Sequence, residues 1–221
     1  MPMHPRSFMK AAFGPARLAG RSAVLACVLL AGLVATPAGA ESLAPEVAEA
    51  PVVQLQDALL ESMAAGGERT FEQRRARLET VVRATHHFDV IAVFILGREA
   101  QALSRQERSE LAERLAHLTA MQYASRFDGG GEIDFERTEV RDYGSRRAIV
   151  RTRLVRAQDA PVSLDYVVQR HGGEVGIINV IADGVSEVAI KRVEYGRVFR
   201  SDGLAGVLAH IDRQIKELTP A

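Results

Sequence analysis

Apolar residues recur along this chain with two different periods, and the change between them divides it. Val52, Leu55, Leu59 and Met63 fall on one helical stripe that stops at Gly66-Gly67. Thr70 and Gln73 have capping-box spacing and open a second helix, with Leu78, Val81, Val82 and Thr85 inward and Arg74, Arg75 and Arg77 in water. Asp89 is placed to cap a short helix over VIAVFIL that ends at Gly97. That segment is apolar all round, so it is predicted to be buried on every side. Ser104 and Glu107 form another capping box. The helix they open carries Leu111, Leu115, Leu118, Met121 and Tyr123 and ends near Phe127, ahead of Gly129-Gly130-Gly131.

The period then drops to two. Ile133 and Phe135 alternate with acids, and Ala148, Val150, Thr152 and Leu154 alternate with Arg147, Ile149, Arg151 and Arg153. Val162, Leu164, Tyr166 and Val168 form a third alternating set, and Val175–Ala182 is a continuous apolar run. Tyr143-Gly144, Ala157–Ala160 and His171-Gly172-Gly173 supply the turns between them. This predicts an antiparallel meander of four strands with one apolar and one charged face. Helical period returns with Val185, Val188, Ala189, Val193 and Phe199. A last stripe follows at Leu204, Val207, Leu208, Ile211, Ile215 and Leu218. Helices, four strands, then helices give an α+β fold with helices laid against one face of the sheet.

The N-terminus changes what the composition means. Arg6, Lys10, Arg17 and Arg21 precede an apolar segment from Ala23 to Ala35, no acid occurs before Glu41, and Ala38-Gly39-Ala40 offers small residues for cleavage. Residues 1–40 therefore read as a secretory signal peptide, the apolar stretch being short of the roughly twenty residues of a bilayer span. An uncleaved anchor is the rival reading. A lipoprotein reading through Cys27 fails because most of the apolar stretch follows that cysteine. Cleavage leaves 181 of the 221 residues, enough for one domain over 52–221 behind a flexible leader at 41–51. Four of the 28 basic residues leave with the signal and all 28 acids stay, so the net charge of zero becomes −4. That balance argues against a nucleic-acid partner. The only cysteine goes too, which removes disulfides, thiolate metal sites and Cys nucleophiles from the mature chain.

Several motifs fall in a recognisable order. They are Ile95-Leu96-Gly97, Ser104-x-Gln106-x-Arg108, Tyr123-x-x-Arg126-Phe127, the strand running into Asp183-Gly184-Val185-Ser186, and Gly203-Leu204-x-x-Val207-Leu208. Together they make residues 52–218 resemble the MlaC/toluene-tolerance family of periplasmic lipid-binding proteins. The run Tyr123-Ala-Ser-Arg-Phe-Asp128 and Ser186-Glu187 look most similar to its hopanoid-biosynthesis-associated HpnM branch. The chain departs from the family pattern at Val175, where a Trp is common, at Asn179, where an Asp is frequent, and at Glu99-Ala100, where an aromatic is usual.

The resemblance implies an NTF2/cystatin-like sheet embraced by helices around an apolar pocket, with no cofactor and no catalytic residue. It implies a soluble periplasmic carrier shuttling phospholipid or a hopanoid-like lipid. Its implied partners are an inner-membrane ABC transporter with an MCE-domain ring and an outer-membrane lipoprotein complex, each met transiently. A double-chain lipid has about thirty methylenes, each costing roughly 0.8 kcal/mol in water, so a carrier must cover the tails. The expected cavity is at the upper end of ordinary ligand pockets, roughly 1,000 Å3. Candidate lipid contacts are Phe94, Leu111, Leu115, Tyr123 and Phe127 from the helices before the sheet. From the sheet come Val150, Leu164, Tyr166, Val168 and Val180, and after it Val185 and Val193.

From periodicity alone, all of these residues could equally be close-packed core. Arg147, Arg151 and Arg153 are a candidate partner-docking surface, their plainer reading being a solvated sheet face paired with Asp165 and Glu136. Adjacent His86 and His87 point about 100° apart on a helix, which argues against a shared metal. Ser186 lacks the second glycine of G-x-S-x-G and reads as a helix cap. An NTF2-like enzyme using Tyr123 and Tyr166, and a structural adaptor with a filled core, are the rival classes.

Overall fold

The computed structural model describes residues 42–65, 68–129, 131–157 and 159–220. The signal-peptide segment 1–40 and the Gly66-Gly67 stop lie outside the described residues. Four helices come first: α1 (Pro45–Ala64), α2 (Phe71–Thr85), α3 (Phe88–Leu96) with a 3-10 extension at Gly97–Ala102, and α4 (Arg105–Arg126). Then come β1 (Ile133–Asp142), β2 (Arg147–Arg156), β3 (Asp159–His171), β4 (Glu174–Ala182), a two-residue β5 (Val185–Ser186) and α5 (Glu187–Leu218). The strands form one antiparallel sheet in sequence order, so the predicted four-stranded meander is present with β5 added at its edge.

Register explains how the sheet acquires two unlike faces. Val140, Val150, Tyr166 and Val180 line up across four strands, flanked by the rows Ala148–Val168–Ile177 and Thr152–Leu164–Ala182. Ala148, Val150, Thr152, Tyr166, Val168 and Ile177 are all buried. On the other face Glu139, Arg151 and Asp165 form a row, as do Glu136, Arg153 and Ser163. A one-residue shift between Val167 and Val168 leaves Ile178 as an extra residue in β4, the geometry of a bulge. Asp183-Gly184 joins β4 to β5 with φ of 47° and 81°. Both residues are left-handed, as a two-residue hairpin turn of the primed type requires.

Helices cover only the apolar face. α1 crosses it over β1–β4, α2, α3 and α5 reach it at β4, and α4 packs across α2, α3 and α5. Both predicted capping boxes form: Thr70 Oγ1 accepts from the Gln73 N–H and Ser104 Oγ from the Glu107 N–H, each reciprocated by the glutamine or glutamate side chain. Such caps are worth about 1 kcal/mol each. Inside, the Gln56 amide donates to Thr152 Oγ1 at 3.2 Å, and the Ser62 hydroxyl donates to the Phe127 carbonyl at 2.9 Å. The first fastens α1 to the sheet and the second fastens it to the end of α4.

Three expectations are corrected. The leader 41–51 is not wholly outside the domain, because α1 begins at Pro45 and Leu43, Ala48 and Pro51 are buried. Pro45 occupies a first-turn position, where its missing N–H costs nothing, so a proline taken as a loop signal instead starts the helix. Asp89 is in the first turn of α3 but does not cap it; His87 holds the cap position without a side-chain bond. Nor is α3 buried on every side, since Val93 is 42% exposed.

α5 breaks at Gly203, whose φ of 62° and ψ of −164° belong to a region almost exclusive to glycine. Its two limbs, the two helices expected from the stripes, fold back on each other. Tyr195 Oη donates to Gln214 Oε1 at 2.7 Å, the Gln214 amide donates to Glu194 Oε1 at 3.0 Å, and His210 Nε2 meets the same carboxylate. Gly203→Ala is expected to lower stability by about 1–3 kcal/mol, read from the denaturant midpoint. An unchanged midpoint contradicts the strain assigned to this position.

Candidate functional site

The helix ends that converge on β4 build an apolar cleft with a polar rim. The junction between α2 and α3 is tied to the sheet by backbone: the His87 N–H donates to the Ile177 carbonyl at 3.0 Å, and His86 bridges to Ile177 in parallel. This places His86, Phe88 and Ile91 on one wall. Leu115, Thr119 and Tyr123 of α4 form the second, and Ile177, Asn179 and Val180 of β4 the third. Glu187, Val188 and Lys191, the opening turns of α5, close the fourth side.

The rim is held by hydrogen bonds that also start α5. The Asn179 amide donates to Ser186 Oγ at 3.0 Å, while Asn179 Oδ1 accepts from the Val188 N–H at 3.2 Å. Ser186 Oγ accepts from the Ala189 N–H at 3.1 Å, the cap role read from its position. Two otherwise unpaired amides of the first turn are thereby satisfied, one of them by a strand residue. Glu187 lies 3.8 Å from Arg126.

The buried titratable groups of this region are neutral at pH 7. Burial pushes the Tyr166 hydroxyl up to about 12 and the Tyr123 hydroxyl well above its ordinary range. Both therefore remain protonated, suited to donating hydrogen bonds and unsuited to acting as bases. Burial pulls the His86 imidazole down to about 4. Its Nδ1 lies 3.1 Å from the Val82 carbonyl, which can only accept, so the proton is on Nδ1. The ring stacks on Phe88 with centroids 5.3 Å apart. His87 diverges from it, edge-on to His171 at 5.7 Å.

The cleft is much smaller than expected, at about 30 Å3, room for about two water molecules. The correction has a physical reason. A standing apolar void of roughly 1,000 Å3 would cost about 20 kcal/mol or more at roughly 24 cal/mol per Å3. That exceeds the roughly 5–15 kcal/mol by which a whole domain is stable, so flexible apolar walls close on each other. Larger depressions exist on the surface. One of about 490 Å3, bordered by Arg83, Asp89, Arg105 and Glu113, meets the cleft at His86 and Phe88. Another, of about 760 Å3, lies beside Met63 and Ile133.

Of the candidate contacts, Leu115, Tyr123 and Val180 line the cleft. Leu111, Phe127, Val150, Tyr166 and Val168 are buried core outside its lining, and Leu164 is half-buried against that core. Three stand outside the cleft. Phe94 lies under the Arg147 guanidinium, 5.3 Å from its ring centroid. Val185 and Val193 face outward at 55% and 65% exposure. The stripe on α5 holds at Val188 and Phe199, which pack inward, and fails at Val185 and Val193; Tyr195, left out of it, is buried, and its bulk was the signal available to show it. Phe88, Ile91 and Ile177 were missed because any buried apolar residue fits the pattern. Asn179, Glu187 and Lys191 were missed because polar rim residues carry no periodic signature.

The docking candidates are occupied within the sheet. Arg151 bonds Glu139 at 3.1 Å and Asp165 at 3.3 Å, Arg153 bonds Glu136 at 2.9 Å, and Arg147 donates to Gln169 at 2.8 Å.

A one-sided antiparallel sheet wrapped by helices, with an apolar cleft beside β4, is an α+β architecture and not a doubly wound one. The family described as MlaC protein matches residues 53–213, and the chain belongs to that family. Its fold is similar to that of a phospholipid-binding protein from Ralstonia solanacearum solved in complex with a phospholipid. The TM-score is 0.67 at 15% identity, over 77% of this chain and 98% of the other. At that identity the likeness speaks for the fold. No curated protein matches the chain at a significant level.

The buried imidazole makes stability depend on pH. The unfolded chain takes up a proton near 6.5 and the folded chain only near 4. His86 therefore contributes fully above 6.5, and the contribution is lost as pH falls toward 4. Between pH 7 and pH 5 the loss through this group is about 2 kcal/mol. Denaturant titrations of His86→Gln should show that much less pH dependence across this window. Equal dependence in both proteins contradicts the assignment.

Proposed function

We propose that this protein is a non-enzymatic carrier that covers the tails of a membrane lipid within the cleft between β4, α3, α4 and the first turns of α5. The observation that carries the reading is membership of the MlaC family across most of the chain. The phospholipid held by the similar Ralstonia protein supports it, as does a cleft with apolar walls and a polar rim. Tails would enter by parting the opening turns of α5 from α4, ahead of the Tyr195 and Glu194 contacts that hold its two limbs together. The headgroup would stay at Asn179, Glu187 and Lys191, where hydrogen-bonding groups meet water.

The N-terminal pattern supports export to the periplasm. There the carrier would exchange lipid with an inner-membrane ABC transporter bearing an MCE-domain ring and with an outer-membrane lipoprotein complex. The transfer needs no covalent step, only that the tails pass between apolar surfaces without crossing water. The ligand is a phospholipid or, as the resemblance to the HpnM branch suggests, a hopanoid-like lipid.

Native mass spectrometry of the mature protein, residues 41–221, should reveal a co-purifying lipid, and extraction should identify its class. A clean protein mass, together with no uptake from phospholipid vesicles, contradicts the proposal. Val188→Trp fills the cleft from α5 and is expected to lower retained lipid several-fold while far-UV circular dichroism stays native. Undiminished retention would move the site elsewhere.

A further inference from the structure

The front limb of α5 is apolar on two sides, and the core uses only one. Val188, Tyr195, Val198 and Phe199 pack inward. Ile190 and Val193, three residues apart on the opposite side, are 52% and 65% exposed, and Val185 at the entry to the helix is 55% exposed. Three large aliphatic side chains thus stand in solvent within nine residues of sequence. They flank Glu187, Val188 and Lys191, which close the cleft.

Basic side chains predominate around this face. Arg197 follows Val193 by one turn and has no ion-pair partner among the described residues, and Lys191 has none either. Arg192 and Arg200 are exposed beside them, Arg192 donating to the Phe94 carbonyl at 3.1 Å and Arg200 lying 3.8 Å from Glu99. Of the nearby acids, Glu99 sits with Arg200, Asp202 at the end of the limb accepts from the Ser201 hydroxyl, and the other three are engaged away from the ridge. Glu187 faces Arg126, Glu194 accepts from Gln214 and meets His210, and Asp183 accepts from the Ser163 N–H. An exposed aliphatic ridge bordered by lysine and arginine, on a mature chain with a net acidic balance, matches the interface of an anionic bilayer. There apolar side chains enter the headgroup boundary and basic residues meet lipid phosphates.

We infer that the outer face of the front limb of α5, centred on Ile190, Val193 and Arg197, docks this protein directly onto anionic lipid membrane. The docking would bring the cleft mouth to the bilayer surface. The contact itself stands on the exposed face, while its purpose rests on the carrier reading. Flotation of the mature protein with vesicles of phosphatidylcholine containing about 30% phosphatidylglycerol tests it. The expected result is co-flotation with these vesicles, weaker with pure phosphatidylcholine, and falling as sodium chloride rises from 50 to 500 mM.

Each basic residue at an anionic surface is worth about fivefold in partitioning. Val193→Glu and Arg197→Glu should therefore each lower co-flotation at least about fivefold, and native mass spectrometry should still find the variants carrying lipid. Lipid-loaded wild-type protein that fails to float overturns the inference and leaves the carrier reading intact. Such a result hands the face to a protein partner. Flotation that is equal on neutral vesicles, or unchanged in both variants, overturns it as well. Vesicle binding by a protein that never carries lipid would instead sink the carrier reading alone.

Discussion

A sheet whose two faces differ this sharply can be buried from one side only. On its outer face the strands are laced by Glu139–Arg151–Asp165 and Arg153–Glu136, charges that stay in water. On its inner face the rows through Val150, Tyr166 and Val168 expose nothing that water can satisfy. Exposed ion pairs contribute at most about 1 kcal/mol each, whereas burying a leucine or isoleucine contributes roughly 1.5–3 kcal/mol. Burial therefore decides the arrangement. Every helix lies on the apolar side, and α1 lies furthest across it.

The same constraint creates the cleft. α1 covers the middle of the sheet, and α2, α3 and α5 all converge on β4. Three helix ends and one strand meet there, and such junctions are harder to fill than a helix laid along a sheet. Their walls are Ile91, Leu115, Ile177 and Val180, with His86 and Phe88 stacked between the cleft and the surface groove outside. An apolar junction that closes when empty spares the protein the cost of a standing void. The cap on α5 fits this picture. Asn179 and Ser186 fix where the helix starts, and Gly203 is where its front limb turns back onto the limb behind it.

Much of this was legible in the chain. Two capping boxes, the period-two strands and the Asp183-Gly184 turn were readable because each is a local rule with local evidence. The break at Gly203 was readable because two stripes needed two axes. What failed needed tertiary knowledge. Residues 41–51 looked like a flexible leader because nothing local reveals that Leu43 and Ala48 have a core to enter. Val185 and Val193 looked inward because a helix apolar on both sides has no unique phase. Phe94 looked like pocket lining, yet its ring faces the Arg147 guanidinium, a pairing set by sheet register and not by helix pattern. Only Leu115, Tyr123 and Val180 were both expected and found at the cleft, since apolar periodicity identifies interior positions without saying which border an opening.

Everything depends on whether the walls around β4 part for hydrocarbon. A crystal structure of the mature chain loaded with its co-purified lipid measures this directly. The account predicts acyl or ring density between Ile91, Leu115, Val180 and Val188, the opening turns of α5 displaced from α4, and the cleft enlarged from about 30 Å3 to several hundred. Density bound elsewhere, with Leu115 and Val188 still in closed packing, contradicts it.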